Sequence, residues 1–143
     1  MTNWDQRFLE LAALIAGWSK DSTKVGAVAV SPDRAIVSTG YNGPPRGVQD
    51  MPDRVGTSGS SNPEKYLWCA HAEENLVAQA ARIGVSLLGT TVYATHAPCA
   101  PCARMLIQAG VARIVWADGT TSMGSRTFEV AAEMLAEAGV VTK

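Results

Sequence analysis

The sequence predicts a single layered α/β domain, residues 1–143. Short apolar runs rich in β-branched residues alternate with stretches of helical period, and a hairpin-like pair of runs precedes that alternation. A chain of 143 residues that is 47% hydrophobic and 17% charged fills one core and leaves too little for a second.

Phe8, Leu9, Leu11, Ala12, Ile15 and Ala16 recur at helical spacing, which predicts an opening amphipathic helix from about Asp5 to Trp18, closed by Ser19-Lys20-Asp21-Ser22. Val25 to Val30 and Ala35 to Thr39, joined across Ser31-Pro32-Asp33-Arg34, read as a hairpin. From Gly40 to about Lys65 the composition shifts to Gly, Pro, Ser, Asp and Asn, and Gly56 to Pro63 is poorest in core-forming residues. A loop of this length inside a compact domain is expected to have a mobile tip and to bring its two ends to a ligand.

A helix from about Ala70 to Ile83 follows, then a strand Thr91 to Thr95, a helix Ala100 to Gln108 and a strand Arg113 to Trp116. The last helix, Thr127 to about Ala138, sets Phe128, Ala131, Ala132 and Leu135 on one face and stops at Gly139. Trp4, Trp18, Trp68 and Trp116 are read as core residues, with subunit contacts as the alternative. No internal repeat is visible.

A net charge near −1 gives no basic field for a polyanion, so nucleic acid is not expected as a partner. Three cysteines, two of them in one C-x-x-C, and a beginning without a basic and apolar export segment predict a reducing, cytoplasmic compartment. No apolar run approaches the roughly 20 residues of a membrane span, so no membrane association is expected.

The chemistry is concentrated in two short segments, His71-Ala72-Glu73 and Pro98-Cys99-Ala100-Pro101-Cys102. They offer one imidazole, two thiols and a carboxylate, and catalytic zinc typically keeps three protein ligands and leaves a fourth position open. Alone, C-x-x-C also suits a redox pair or half a zinc knuckle, and H-x-E suits a polar helix start. In this order, with both prolines, they match the H-x-E and P-C-x-x-C pattern of zinc-dependent nucleobase deaminases. Replacing an exocyclic amine by oxygen needs a nucleophile at neutral pH, and zinc lowers the pKa of water from about 15.7 to about 7. Thiolates at Cys99 and Cys102 with neutral His71 balance the metal's charge, which leaves Glu73 to act as base and then as acid on the ring nitrogen and the departing ammonia. Helix N-termini favour the thiolate at Cys99, and Pro101 suits a first helical turn. Cys69 is read as a buried or partly buried thiol, with a second metal or redox role as the alternative; His96 is either a pocket residue or a structural one.

With these residues in place the chain resembles the cytidine-deaminase-like superfamily, and more narrowly the deoxycytidylate (dCMP) deaminase family, from about Trp18 to Trp116. Ser19-Lys20-Asp21-Ser22-Thr23-Lys24-Val25-Gly26-Ala27-Val28 looks like that family's S-K-D-P-S-T-K-V-G-A-V segment shortened by one residue. Gly40-Tyr41-Asn42-Gly43 with Pro45-Arg46-Gly47-Val48 looks like its G-Y-N-G-x-P-x-G loop. The resemblance implies a three-layer α/β/α fold around a five-stranded mixed sheet, catalytic Zn2+ on His71, Cys99 and Cys102, Glu73 as proton shuttle, and hydrolysis of dCMP to dUMP and ammonia that supplies thymidylate synthesis. It further implies that Asn42 contacts the sugar or base edge, that the backbones of Ala27 and Ala72 read the pyrimidine, and that Lys24, with Thr23 and Arg46 behind it, binds the 5′-phosphate. For Lys24 and Arg46 the plain alternative is solvated surface charge, and for Asn42 a turn residue.

By the same resemblance the protein is a homo-hexamer activated by dCTP with Mg2+ and inhibited by dTTP, with the segment from Gly43 to Arg54 as the regulatory loop. Thr95-His96-Ala97-Pro98-Cys99 departs from the family's T-L-x-P-C, and Glu74 stands before Asn75 where an apolar residue is commoner. Ala97 in place of a bulkier residue widens the expected specificity to 5-substituted dCMP or to dCTP. The alternatives are a related zinc deaminase acting on a free base, a nucleoside or a tRNA adenosine, and, from another class, a catalytically silent module that keeps its metal for folding; the retained Glu73 argues against the last.

Overall fold

Alternation along a central strand divides the molecule into layers. The computed structural model describes residues 2–56 and 64–143, so the expected mobile loop tip, 57–63, lies outside the described residues. Five strands, β1 (Gly26–Val30), β2 (Ile36–Tyr41), β3 (Thr91–Ala94), β4 (Arg113–Trp116) and β5 (Val141–Thr142), stand in the order β2-β1-β3-β4-β5. β1 pairs antiparallel with β2 and β3, whereas β3, β4 and β5 are mutually parallel neighbours, making the sheet mixed.

Because side chains alternate across a strand, Val28 and Val30 with Tyr93 and Val115 meet Phe8, Leu9, Ala12 and Ile15 of helix α1 (Asn3–Ala16). Ala27, Ala29, Val92, Ala94 and Ile114 point the other way. They pack on Leu76 and Ala80 of α4 (Ala72–Ile83), Ala103 and Leu106 of α5 (Ala100–Gln108), and Ala131 and Leu135 of α6 (Ser125–Glu137). The result is a three-layer α/β/α domain. Every residue of β1 is buried, as expected of a strand covered on both faces.

Two glycines set how closely the layers approach. A Cβ on Gly26 would lie 2.1 Å from the Ala12 carbonyl oxygen, and one on Gly40 would lie 2.2 Å from that of Ala72, so α1 and α4 rest backbone-to-backbone on the sheet.

The boundaries shift modestly from the sequence reading. α1 starts earlier, because Thr2 and Asp5 form a capping box, and ends at Ala16 rather than Trp18. β2 runs on to Tyr41, and α6 starts at Ser125 rather than Thr127. The expected loop contains two four-residue helices, α2 (Pro52–Val55) and α3 (Lys65–Trp68). Three tryptophans correct the core reading: Trp4, Trp18 and Trp68 are exposed. Trp4 lies under the guanidinium groups of Arg7 and Arg34 at 4.5 and 4.9 Å, Trp68 under that of Arg54 at 3.9 Å, and Trp18 meets Tyr41 edge-on. Trp116 is partly buried against the core.

Candidate active site

Two helix N-termini converge at the same end of the sheet. Upstream of α4, the backbone of Ala70 exchanges hydrogen bonds with Gly43 (2.9 and 3.1 Å), pinning the chain just before His71. His71 is the N-cap, and its N–H donates to the Glu74 carboxylate at 2.9 Å. Glu74, which departs from the family pattern, thus closes the first turn of α4. Glu73 lies in that turn and is 5% exposed. Across the site Cys99 is the N-cap of α5 and Cys102 lies within its first turn, while the Ala100 N–H donates to the Thr127 hydroxyl of α6 at 2.8 Å.

His71 Nδ1 lies 3.4 Å from Cys99 Sγ and 3.3 Å from Cys102 Sγ. All three donor atoms lie within 4.8 Å of one another, a set that could hold a metal ion. Zinc bonds of about 2.3 Å to sulfur and 2.05 Å to nitrogen at tetrahedral angles put N and S about 3.6 Å apart, so the donors need move only a few tenths of an ångström to share one zinc.

The electrostatics fit a cation. Hydrogen bonding from Cys102 and from His71 pulls the Cys99 thiol down to about 4 despite burial, while Cys102, which donates to Cys99 and is itself buried, is pushed up. The bond to Cys99 raises His71 to about 9 against burial. These shifts gather negative charge at Cys99 beside His71, and a bound dication would take the place of the protons. Burial pushes the Glu73 carboxyl up to about 7, opposed by its own backbone N–H and by His71.

Beside these donors opens a cleft of about 670 Å³ including its mouth. Asp21, Thr23, Val25 and Asn42 line it from the loop before β1 and the end of β2; Lys65, Tyr66, Cys69 and Ala70 line it from α3 and the approach to α4. His96, Ala97, Thr121, Met123 and Phe128 complete it, with Ala72 and Glu73 beside the donors.

The residues expected at a substrate are distributed unevenly. Thr23, Asn42 and Ala72 line the cleft. Asn42 also braces it, accepting the Val25 N–H at 2.9 Å and donating to the Thr23 carbonyl at 2.7 Å. Ala27 is fully buried in the core outside the lining, and the Lys24 amine donates to the Ser19 carbonyl. Arg46 donates to Gln79 at 2.5 Å beside a separate groove bordered by Trp18, Tyr41 and Arg82. Lys65, which the sequence reading left in the loop, is the one amine lining the cleft among the described residues; it pairs with buried Asp21 at 2.9 Å. Nothing local in the sequence marks that pair. Cys69 is half-buried and donates to the Arg54 carbonyl at 3.1 Å. His96 is both a cleft residue and a structural one, bonded through each ring nitrogen.

Fold and donor set together define a protein of the cytidine-deaminase-like class. The sequence profile of the cytidine and deoxycytidylate deaminase zinc-binding region matches residues 2–118, and the chain belongs to that family. Among its relatives, an uncharacterized deaminase in the luxG 3′ region of Aliivibrio fischeri is 39% identical over 98% of this chain and 92% of its own. The deoxycytidylate deaminase of Mycobacterium phage D29 is 35% identical over 80% of this chain and 94% of its own. The crystal structure of the dCMP deaminase of cyanophage S-TIM5, in complex with dCMP and dUMP, superposes with a TM-score of 0.79 at 28% identity, covering 100% of this chain and 98% of that one.

Proposed function

We propose that this protein hydrolyses dCMP to dUMP and ammonia with zinc held by His71, Cys99 and Cys102. The observation that carries the reading is the meeting of a buried carboxylate and a three-donor metal set beside one cleft. The likeness to a dCMP deaminase along the whole chain supports the substrate.

Zinc at this position supplies a hydroxide-strength nucleophile near neutral pH. Glu73 would accept one proton of the water and deliver it to the ring nitrogen beside the reacting carbon, then take the second from the hydroxyl now on that carbon and pass it to the amino group, which leaves as ammonia while the ring carbonyl forms. A carboxyl whose burial favours its neutral form is suited to both directions of transfer near pH 7. The Ala72 backbone meets the pyrimidine, while Asn42 and Thr23 offer hydrogen bonds to the sugar. Lys65 is placed to meet the phosphate when it leaves Asp21, and Lys24 reaches the same end of the substrate only by leaving the Ser19 carbonyl. The small Ala97 side chain leaves room for a 5-substituted base. One observation favours a second reading, an unphosphorylated substrate: the amine in the cleft is already neutralised by Asp21.

The same reading extends to regulation by dCTP with Mg2+ and by dTTP, to a hexamer, and to a cytoplasmic enzyme that supplies thymidylate synthesis. The groove beside Gly43 and Pro45, with Arg46 and Arg82 on its rim, supports an anionic effector. Added dTTP and dCTP should shift the KM of the wild-type chain, and sedimentation should give its assembly.

Ammonia release by the zinc-loaded protein from dCMP, 5-methyl-dCMP, dCTP, deoxycytidine, guanine and adenosine tests the assignment. Turnover of dCMP but not deoxycytidine is expected, with kcat reduced about 10²- to 10⁴-fold in Glu73→Gln at unchanged zinc content. A Lys65→Ala variant should raise KM for dCMP with zinc content unchanged. Activity confined to unphosphorylated compounds would sink the nucleotide assignment.

A further inference from the structure

The chain leaving β4 folds back over the end of β3, with the N–H groups of Ala117 and Gly119 donating to the carbonyls of Ala94 and Thr95 at 3.0 Å each. There it meets His96, both of whose ring nitrogens have partners. Nε2 lies 3.1 Å from the Thr120 carbonyl oxygen and Nδ1 2.7 Å from the Thr95 hydroxyl. A carbonyl only accepts, so in the neutral ring Nε2 carries the proton. Nδ1 then accepts the hydroxyl of Thr95, whose oxygen takes the Gly26 N–H at 3.1 Å. Burial holds the ring below its ordinary pKa, with the Thr120 carbonyl opposing.

The ring also occupies the space a side chain at residue 119 would need. A Cβ on Gly119 would stand 2.5 Å from His96 Cε1 and Nδ1 and 2.6 Å from Nε2. A methyl group there must displace either a ring tied at both nitrogens or the segment itself. Thr121 and Met123, next along that segment, line the cleft with Ala97 and Phe128. Ala97, Met123 and Phe128 give this part of the lining an apolar surface, while Val25, Ala70 and Ala72 are apolar elsewhere in the cleft and Thr23, Asn42 and Lys65 are its polar members. Since Glu73 serves the ring nitrogen on one side of the reacting carbon, C5 lies on the other side, away from the carboxyl and suited to an apolar wall.

We propose that His96, seated on Gly119, is a positioning residue that sets the apolar wall of the cleft and thereby decides which substituent at pyrimidine C5 is admitted. This rests on the dCMP reading above. Without the ring, the segment keeps its backbone bonds at Ala117 and Gly119 but loses the tie at Thr120 just before Thr121 and Met123, and the wall recedes while Glu73 and the metal donors stay in place. The effect therefore falls on KM and on discrimination more than on kcat.

The test compares zinc-loaded wild type with His96→Ala, Gly119→Ala and the double variant, using dCMP and 5-methyl-dCMP, with thermal unfolding of each. For His96→Ala, KM for dCMP should rise about tenfold, the worth of one or two ordinary hydrogen bonds. Its kcat/KM ratio for the two substrates should move toward the methylated one. Gly119→Ala should shift the same way, and the double variant should be no worse than His96→Ala alone, because the added methyl then has room. If Ala at 96 does not fold, His96→Gln, which keeps an N–H for the Thr120 carbonyl, should fold and show a smaller shift of the ratio. An unchanged ratio with only a lowered melting temperature overturns the proposal, as do independent, additive losses at the two positions. Wild type inactive on dCMP overturns the reading beneath it, and is distinguishable because the coupling of residues 96 and 119 in thermal unfolding then persists.

Discussion

Asp5 shows at the scale of one residue how a charge is kept inside this fold. It is 2% exposed and accepts two hydrogen bonds from the Arg113 guanidinium, at 2.8 and 2.9 Å, and one from the Tyr93 hydroxyl at 2.7 Å. The Arg113 bonds hold its carboxyl far below the usual range, against burial, while burial and then the bond to Asp5 push Tyr93 up to about 12. The folded-state pKa is depressed, so the stabilisation is complete above the unfolded value of about 3.9 and is lost as pH falls below it. Asp5→Asn should cost about 3 kcal/mol near pH 7, the low end for breaking a buried pair because Arg113 remains partly hydrated. Thermal melts should show the gap between variant and wild type closing below about pH 4, and a gap independent of pH would refute the ionic account. This pair spans 108 residues and Asp21–Lys65 spans 44, so neither leaves a local trace in the sequence. His71 and Glu73, and likewise Cys99 and Cys102, are legible because each pair is written within a few consecutive residues.

At the scale of elements, the start of α4 is fixed by what β2 lacks. A side chain at residue 40 would meet backbone, the Ala72 carbonyl oxygen at 2.2 Å and the Leu76 nitrogen at 2.5 Å, and neither can swing aside. Gly40→Ala should therefore lift the first turn of α4 and carry His71 and Glu73 with it, at an overpacking cost of about 1–3 kcal/mol. Zinc competition with a chromogenic chelator should show weaker retention than in wild type, and unaltered retention would mean that the helix start is held by something other than this contact. The long helices are readable because their apolar periods repeat, and β1, β3 and β4 because they are short runs of apolar, β-branched residues between turns. The two four-residue helices and the two-residue β5 are too short to show a period, and β5 exposes both its residues, so only its pairing with Arg113 and Ile114 defines it. Resemblance to a five-stranded family anticipates that strand where residue patterns do not.

For the molecule as a whole, the question is how much of the fold depends on metal. The donor set joins the N-termini of α4 and α5 on one side of the sheet, whereas the layer built from Phe8, Leu9, Ala12 and Ile15 against Val28, Val30, Tyr93 and Val115 closes without it. The larger core beneath α4, α5 and α6 is also built of apolar side chains, with buried Ser38 satisfied by the Leu76 carbonyl. Chelation should thus leave a folded protein, unlike a small domain whose fold is bought by its zinc. A metal that binds only the native state adds about 4.1 kcal/mol when free zinc is 1,000 times its dissociation constant. At about 2–4 °C per kcal/mol for a chain near this length, the melting temperature should rise by roughly 10 °C between chelated and zinc-saturated protein. Cys102→Ser should abolish most of that dependence while keeping the far-ultraviolet circular dichroism of the chelated wild type. Outright unfolding on chelation would place the metal in the folding core and revive the structural-site reading. A melting temperature indifferent to zinc would remove the metal from this site altogether, leaving the His71–Cys99–Cys102 cluster with nothing to activate water for Glu73.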